Sequence, residues 1–270
     1  MNKVVLTGAK GFIGSHVLEK LTDHKVDVLG VGREIGDLKT PNLPRGEVLV
    51  HCAGVTPSKS LHPETLYEDN MELDRSVFSQ LQGYRAVIYL SSVSAYGRVE
   101  VPVLTEDTPP IDPNPYGRAK LDAESLLKET VSKGLMSAIS IRLPGVVGRG
   151  CRDIFLSKSL DKVKAGEVVK VRNPESLFNN MVFVKDLAWF VGQWQSNPKP
   201  GYSVINLGSS EPLPMKEVVG LLFDYSKIER KMEFEDSGHS FTLSIKLAMK
   251  YGFKPSNVRA GLESFVRSNK

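Results

Sequence analysis

Val4-Val5-Leu6-Thr7-Gly8-Ala9-Lys10-Gly11-Phe12-Ile13-Gly14-Ser15-His16 is the stretch that decides the fold. Val4 to Leu6 is a short apolar run of the kind buried on both faces of a parallel sheet. An apolar helical pattern follows through Val17, Leu18 and Leu21. Between the two, the glycines at 8, 11 and 14 are spaced GxxGxxG. That spacing gives a tight turn, backbone that can approach a pyrophosphate, and close packing of helix on strand. The helix N-terminus then turns its free N–H groups and positive dipole end toward the phosphates. A glycine-rich turn without a ligand is the competing reading, and the strand–turn–helix order tells against it. Gly8, Lys10, Gly11, Phe12, Ile13 and Gly14 are therefore candidate dinucleotide-binding residues in a doubly wound parallel α/β sheet.

Outward from this turn, Val26 to Val31 reads as the second strand, ending in Gly32-Arg33-Glu34. An acidic residue at this point suits the ribose 2′-hydroxyl of NAD, whereas an arginine suits a 2′-phosphate. Arg33, helped by Lys10, points to NADP with NAD as the alternative; solvated surface bases are the competing reading. Asp37 and Leu38 join the cofactor set on this side. Glu47 to Gly54 is another strand and turn, with Ala53 and Gly54 at its end. A parallel crossover needs a dozen or more residues, and Pro41 and Pro44 break the segment before Glu47. The third strand of a Rossmann sheet is therefore expected to be abbreviated or absent.

Leu66 to Leu81 reads as a helix carrying Asn70, and Ala86 to Leu90 as a strand ending at Ser91-Ser92-Val93-Ser94-Ala95-Tyr96-Gly97. Thr105 to Pro115 is a proline-rich loop, and Tyr116 to Ser132 a long helix with Ala119, Ala123, Leu126 and Leu127 on one stripe. Tyr116 and Lys120 stand four apart in Tyr116-Gly117-Arg118-Ala119-Lys120, so they share a helix face about one turn apart. A neighbouring ammonium favours the phenolate of a tyrosine. A tyrosine so tuned can give or take the proton of an alcohol. Ala138 to Leu143 is the last main strand, running into Pro144-Gly145-Val146-Val147-Gly148. Arg152 to Lys164 reads as a helix, Asp186 as a helix N-cap, and Glu217 to Tyr225, Leu243 to Tyr251 and Val258 to Val266 as short amphipathic helices. The expected division is a Rossmann domain over 1–143 with a return segment about 181–202, and a small lobe over 144–180 and 203–270.

Composition excludes several classes. At 270 residues and formal charge +4, the chain has scattered basic residues with no nucleic-acid patch. Its apolar runs fall short of the ~18 residues of a membrane span. Cys52 and Cys151 lack a metal-ligand or CxxC spacing, so reduced thiols and a cytoplasmic protein are the expectation, with no metal.

Taken together these motifs resemble the extended short-chain dehydrogenase/reductase superfamily, in its sugar-nucleotide epimerase/dehydratase group. The resemblance runs from Thr7-Gly8 through Ser92, Tyr116/Lys120, Arg142-Leu143-Pro144 and Phe183-Val184-Lys185-Asp186 to Asn206-Leu207-Gly208. It implies Tyr116 as catalytic acid/base, Lys120 tuning it and bonding the nicotinamide ribose, and Ser92 holding the reacting oxygen. It implies Asn70 in support of the proton relay, and Ala53, Gly54, Pro144 and Val146 beside the cofactor. It also implies a homodimer through the helices that carry Asn70 and Tyr116. The implied substrate is a small-molecule sugar or nucleotide sugar. The expected reaction is NADP-dependent ketoreduction, with NAD-dependent 4-epimerisation as the alternative. Keeping both Tyr116 and Lys120 tells against a non-catalytic redox sensor.

Two departures from the pattern of that group stand out, one setting a reaction aside and one telling against the nucleotide part of the substrate. Dehydratases of the group place an Asp-Glu pair after the catalytic serine or threonine, and here those positions are Val93 and Ser94, so dehydration is set aside. Many members carry an asparagine on the sugar diphosphate where Gly145 stands. If Arg33 holds a 2′-phosphate, Arg33→Ala should weaken NADPH by about 1.5–3 kcal/mol, the worth of a charge-assisted contact, and leave NADH nearly unchanged. Titration of the variant with both nucleotides checks this, and equal losses return Arg33 to a surface base.

Overall fold

The computed structural model describes residues 3–32, 42–60, 62–132, 136–237 and 239–269. In chain order its elements begin with β1 (Val4–Thr7), α1 (Phe12–Asp23), β2 (Val28–Val31), β3 (Val48–His51), α2 (Leu66–Phe78) and β4 (Ala86–Ser92). A 3-10 turn (Val93–Tyr96), β5 (Val103–Leu104), α3 (Pro115–Ser132), β6 (Ser137–Leu143) and β7 (Gly145–Val147) follow. Next come α4 (Phe155–Lys164), β8 (Val169–Arg172), β9 (Leu177–Phe178), β10 (Met181–Phe183), α5 (Val184–Ser196) and β11 (Tyr202–Asn206). The chain ends with β12 (Leu213–Pro214), α6 (Met215–Ser226), β13 (Met232–Glu235), β14 (Thr242–Leu243), α7 (Lys246–Lys250) and α8 (Val258–Ser268).

Two compact units divide these elements. The first comprises Met1–Arg98, Pro109–Arg142 and Leu187–Ile205, and the second Val99–Thr108, Leu143–Asp186 and Asn206–Lys270. The first unit holds a six-stranded sheet in the order β11-β6-β4-β3-β1-β2. β1 pairs in parallel with both β2 and β3, with Val4 opposite Val28 and Val48. β3 pairs in parallel with β4. The chain steps from β1 to β2 at the edge and then back across to β3, which makes a switch point at the carboxyl ends of β1 and β3.

Every residue of β1, β3 and β4 is buried. This is the burial a parallel strand acquires when helices cover both faces. On one face Val5, Leu49 and Val87 meet Val77 and Phe78 of α2 and Ala119, Ala123 and Leu127 of α3. The stripe Ala119, Ala123, Leu126 and Leu127 thus lies in the chain's own core; of its four residues only Leu126 is partly buried. Among the described residues the sheet ends at β2. Arg33, Asp37 and Leu38 lie outside the described residues, with the rest of 33–41.

The second unit is built from short strand pairs. β7 pairs with β10, β8 with β13 and β5 with β14 in parallel, and β9 with β12 antiparallel. β5 pairs in register with β14, Val103 opposite Thr242, and so draws the 99–108 segment out of the first unit, where the sequence reading had put it. The helix expected over Leu243 to Tyr251 is shortened by the same pairing to α7. Asp186 is not a helix cap. α5 begins at Val184, and the Asp186 carboxylate instead accepts from Ser256 N at 2.8 Å and Ser256 Oγ at 3.1 Å. No described helix is long and apolar enough to cross a membrane.

Two glycines on helices of the first unit give opposite expectations. A Cβ on Gly14 would lie 2.1 Å from the Gly8 carbonyl oxygen, and backbone must move to admit it. A Cβ on Gly192 in α5 would meet only Leu21 Cδ2, at 3.9 Å. Gly14→Ala should therefore destabilise by about 1–3 kcal/mol through overpacking. Gly192→Ala should stabilise by roughly 0.5–1 kcal/mol by removing a mid-helix glycine. Urea unfolding of both variants checks the signs; a neutral Gly14→Ala would mean that the turn is looser than drawn.

Candidate active site

At the carboxyl end of β1 the backbone reverses through Gly8, whose φ is +67°. Gly11 N donates to Gly8 O at 2.8 Å and closes the turn. A Cβ on Gly8 would sit 2.8 Å from Ala53 N, so the turn packs directly on the backbone after β3. Gly11 caps α1 without a side-chain hydrogen bond, and the first turn of the helix carries no acidic residue. An uncapped helix start behind a cradle that only glycine fits suits an anion such as a dinucleotide phosphate. The residues present therefore fit the nicotinamide dinucleotide implied by the sequence.

Asn70, 1% exposed, fastens the loop beside this turn. Its Oδ1 accepts from Val55 N at 3.1 Å, and its Nδ2 donates to Val55 O at 3.0 Å and to Leu66 O at 2.8 Å. A Cβ on the intervening Gly54 would lie 3.3 Å from Asn70 Oδ1 and 3.6 Å from Lys120 Nζ, which puts Gly54 between the two side chains.

Ser92 ends β4, and its Oγ accepts from Ser94 N at 3.1 Å, so this side chain caps the 3-10 turn. The first turn of α3 packs on that turn through Gly117. A Cβ there would fall 2.0 Å from Ser94 O. The glycine inside Tyr-Gly-Arg-Ala-Lys is what allows the helix bearing Tyr116 to approach the segment bearing Ser92. The sequence reading gave Gly117 no role, although its place inside the motif was a signal.

Tyr116 is half-buried and Lys120 is 3% exposed. Lys120 Nζ lies 5.8 Å from the Tyr116 ring centroid and 4.6 Å from that of Tyr89, and it donates to Tyr89 OH at 3.0 Å. The ammonium is thus held in the protein interior near a half-buried phenol ring, an arrangement suited to moving a proton at that phenol's oxygen.

One turn further along α3, Glu124 makes a second buried charge site that the sequence reading missed, though its i+4 spacing from Lys120 was legible. Arg142 Nε donates to Glu124 Oε1 at 3.0 Å and Nη2 to Oε2 at 2.7 Å, while Ser91 Oγ donates to Oε1 at 2.5 Å. The Arg142 guanidinium also lies over the Tyr96 ring at 4.4 Å. Burial alone would lower the Arg142 pKa; the Glu124 hydrogen bonds and charge more than offset it and raise it. This fork ties α3 to β4 and β6 immediately beside Ser92.

In the second unit, Val146 is the middle residue of β7 and Pro144 stands just before that strand. A cavity of about 630 Å³ opens within this unit, lined among others by Lys158, Lys162, Lys170 and Arg172 and by Phe155, Phe178 and Phe241. Asn180 Oδ1 and Ser237 Oγ in its lining are buried without a hydrogen-bond partner among the described residues. Cations, aromatic rings and unpaired polar atoms suit an anionic ligand with a planar group. Burial raises the Cys151 thiol, which leaves it poorly suited to act as an acid/base. No group of three potential ligands for a metal ion occurs among the described residues.

Comparison with known proteins bears on family and fold. The model of the NAD dependent epimerase/dehydratase family matches residues 4–208. A UDP-glucose 4-epimerase of Azospirillum brasilense is 28% identical over 54% of this chain, but the match spans only 49% of that enzyme. An N-acetyl-α-D-glucosaminyl-diphospho-ditrans,octacis-undecaprenol 4-epimerase of Escherichia coli O157:H7 is 27% identical over 81% of this chain and 70% of its own length. Among solved structures, MoeE5 in complex with UDP-glucuronic acid and NAD superposes with a TM-score of 0.82 at 26% identity, covering 99% of this chain and 98% of that one.

The Glu124–Arg142 fork yields a stability expectation. Glu124→Gln leaves Arg142 charged and uncompensated in the interior and should cost about 3–5 kcal/mol, as breaking a buried pair does. The double variant Glu124→Leu/Arg142→Met should lose less than Glu124→Gln alone. Urea unfolding of the wild type and these two variants checks this, and a double variant that loses more than Glu124→Gln alone would mean that Arg142 is not left uncompensated when Glu124 is neutralised.

Proposed function

We propose that this chain, which belongs to the NAD dependent epimerase/dehydratase family, carries out reversible oxidoreduction at a hydroxyl-bearing carbon of a nucleotide sugar. The observation that carries the reading is the buried Lys120 ammonium beside the Tyr116 ring, in the same unit as the glycine turn. Gly8, Gly11 and Gly14 and the open start of α1 would hold the dinucleotide phosphates, and Lys120 the ribose. When bound, the nicotinamide supplies the acceptor and donor of hydride.

The chain's own residues handle the proton and the orientation. Tyr116 takes the proton of the substrate hydroxyl as the carbon is oxidised and returns a proton to the carbonyl oxygen as it is reduced. Ser92 orients that oxygen with its hydroxyl, and Lys120 keeps a positive charge beside the phenol while the proton is away. The missing Asp-Glu pair after Ser92 leaves no carboxylates there for loss of water.

Relatives that are 4-epimerases favour epimerisation with NAD, in which the same carbon is oxidised and reduced again on its other face. Arg33 and Lys10 are the features that favour NADP-dependent ketoreduction. The two differ in what the protein keeps. An epimerase retains its nucleotide through purification and turns over without net consumption, while a reductase exchanges it and consumes it. Identifying the nucleotide released on denaturation separates them. In either case Tyr116→Phe should keep cofactor binding nearly intact and lower turnover by roughly 10²–10⁴-fold, the usual worth of a positioned acid/base. Steady-state kinetics with UDP-glucose and related nucleotide sugars tests this, and full activity in Tyr116→Phe would remove the tyrosine from the mechanism.

A further inference from the structure

Behind Lys120 lies a hydrogen-bonded chain that the reaction as described does not use. Lys120 Nζ donates to Tyr89 OH at 3.0 Å. Tyr89 OH donates to Asp74 Oδ2 at 2.6 Å. Asp74 Oδ1 meets His51 Nε2 at 2.9 Å, and His51 Nδ1 meets Thr7 Oγ1 at 2.6 Å. Thr7 is the last residue of β1, directly before the glycine turn, and its Oγ1 also accepts from Ala53 N at 3.3 Å. The five side chains come from five elements, β1, β3, α2, β4 and α3, and none is more than 5% exposed.

Donor and acceptor chemistry sets the direction of the three links from Lys120 to His51. An ammonium has only protons to give and a carboxylate only lone pairs. Tyr89 has one proton, which goes to Asp74, so its lone pair receives Lys120. His51 gives Nε2–H to Asp74, and in the neutral tautomer this assigns, its Nδ1 accepts from the Thr7 hydroxyl. His51 stacks on Tyr89 with centroids 5.7 Å apart, and Phe78 sets its edge against both rings. The stack packs the two ring links among buried aromatic faces.

The charges of this interior also need partners. Glu124, one turn from Lys120, already receives two bonds from Arg142 and one from Ser91. Asp74 is the carboxylate linked to Lys120, through Tyr89. Burial alone would raise its pKa; the Lys120 charge and the bonds from His51 and Tyr89 hold it below the ordinary carboxylate range.

We propose that Asp74 is a positioning residue for Lys120. Acting through Tyr89, it fixes one N–H of the ammonium and leaves the other two directed at the nicotinamide ribose and at Tyr116. A lysine stem has several rotatable bonds and loses rotamer entropy when held in one geometry. Asp74 meets that cost in the free protein, so less is lost when the dinucleotide binds. Because the far end of the chain is Thr7, one set of hydrogen bonds joins the lysine to the strand that carries the phosphate turn. This inference rests on the dinucleotide-binding reading above.

Titration with NADH and NADPH, followed by nicotinamide fluorescence, tests it on wild type, Asp74→Asn, Tyr89→Phe, Lys120→Met and the doubles Asp74→Asn/Lys120→Met and Tyr89→Phe/Lys120→Met. Asp74→Asn keeps the shape and removes the charge, and Tyr89→Phe cuts the link while leaving the His51–Asp74 pair. Each single variant should weaken the tighter-binding nucleotide about tenfold, the order expected for one charge-assisted contact. In the Lys120→Met background neither change should cost more than about twofold, because coupled residues are not additive. Equal losses with and without Lys120 would make Asp74 a merely structural residue, and no loss in either single variant would equally overturn the proposal. If Asp74→Asn fails to fold, Tyr89→Phe and its double carry the same two outcomes. A wild type that binds neither nucleotide would sink the functional reading itself, and this proposal with it, before any variant is compared.

Discussion

Two charged side chains one turn apart on the same helix, Lys120 at 3% exposure and Glu124 at 4%, are the constraint on which the first unit turns. Removing each charge from water costs several kcal/mol, and only close partners return it. Glu124 finds them in Arg142 of β6 and Ser91 of β4, and Lys120 in Tyr89 of β4 and, beyond it, Asp74 of α2. The helix is therefore cross-linked to two strands and to its neighbouring helix by groups that tolerate little displacement. Apolar residues of the same volume in such places are often neutral or stabilising. A core selected only for stability gains nothing from these four charges, and their cost is intelligible as the means of holding Ser92, Tyr116 and Lys120 in one geometry.

The same constraint explains the glycines on either side of it. Helix α3 can present Tyr116 beside Ser92 only if its first turn rests on the backbone of the 3-10 turn, and Gly117 admits that contact. On the cofactor side, Gly14 rests on Gly8 in the same manner. In both places backbone meets backbone where a single methyl group would force the elements apart. The charged networks then fix the rotation of α3, which packing of small residues alone would leave loose.

What the sequence disclosed was whatever is written in short spacings. GxxGxxG between an apolar strand and helix, and a tyrosine four before a lysine, are local patterns; the parallel sheet followed from them, and the candidate site residues were read from them. The links behind the site are not local. His51 and Asp74 are 23 residues apart, Tyr89 and Lys120 are 31 apart, and Thr7 and His51 are 44 apart. No periodicity brings such residues together, and each alone reads as an ordinary core position. The second unit was harder still. β8 and β13 are four-residue strands that pair across about 60 residues, and β5 and β14 across a longer gap, so their register is set by tertiary packing rather than by local preference. Asp186 looked like a helix cap because it precedes an apolar run, but Ser256, distant in sequence, claims its carboxylate.

Gly145 shows where fold and ligand part company. The resemblance implies an asparagine at this position in many relatives, reaching the sugar diphosphate. A backbone demand for glycine would explain its loss here, yet a Cβ on Gly145 would meet only Ile154 Cδ1 at 3.5 Å and Asn180 O at 3.6 Å, both ordinary van der Waals contacts. The fold would accept a Cβ here, so close backbone approach is not what keeps the position bare. Within the same unit the cavity offers Lys158, Lys162, Lys170 and Arg172, charges that bind a phosphate as points or forks where an amide would give one hydrogen bond. Cations of this kind, unlike an amide, would make any phosphate binding in this unit sensitive to salt.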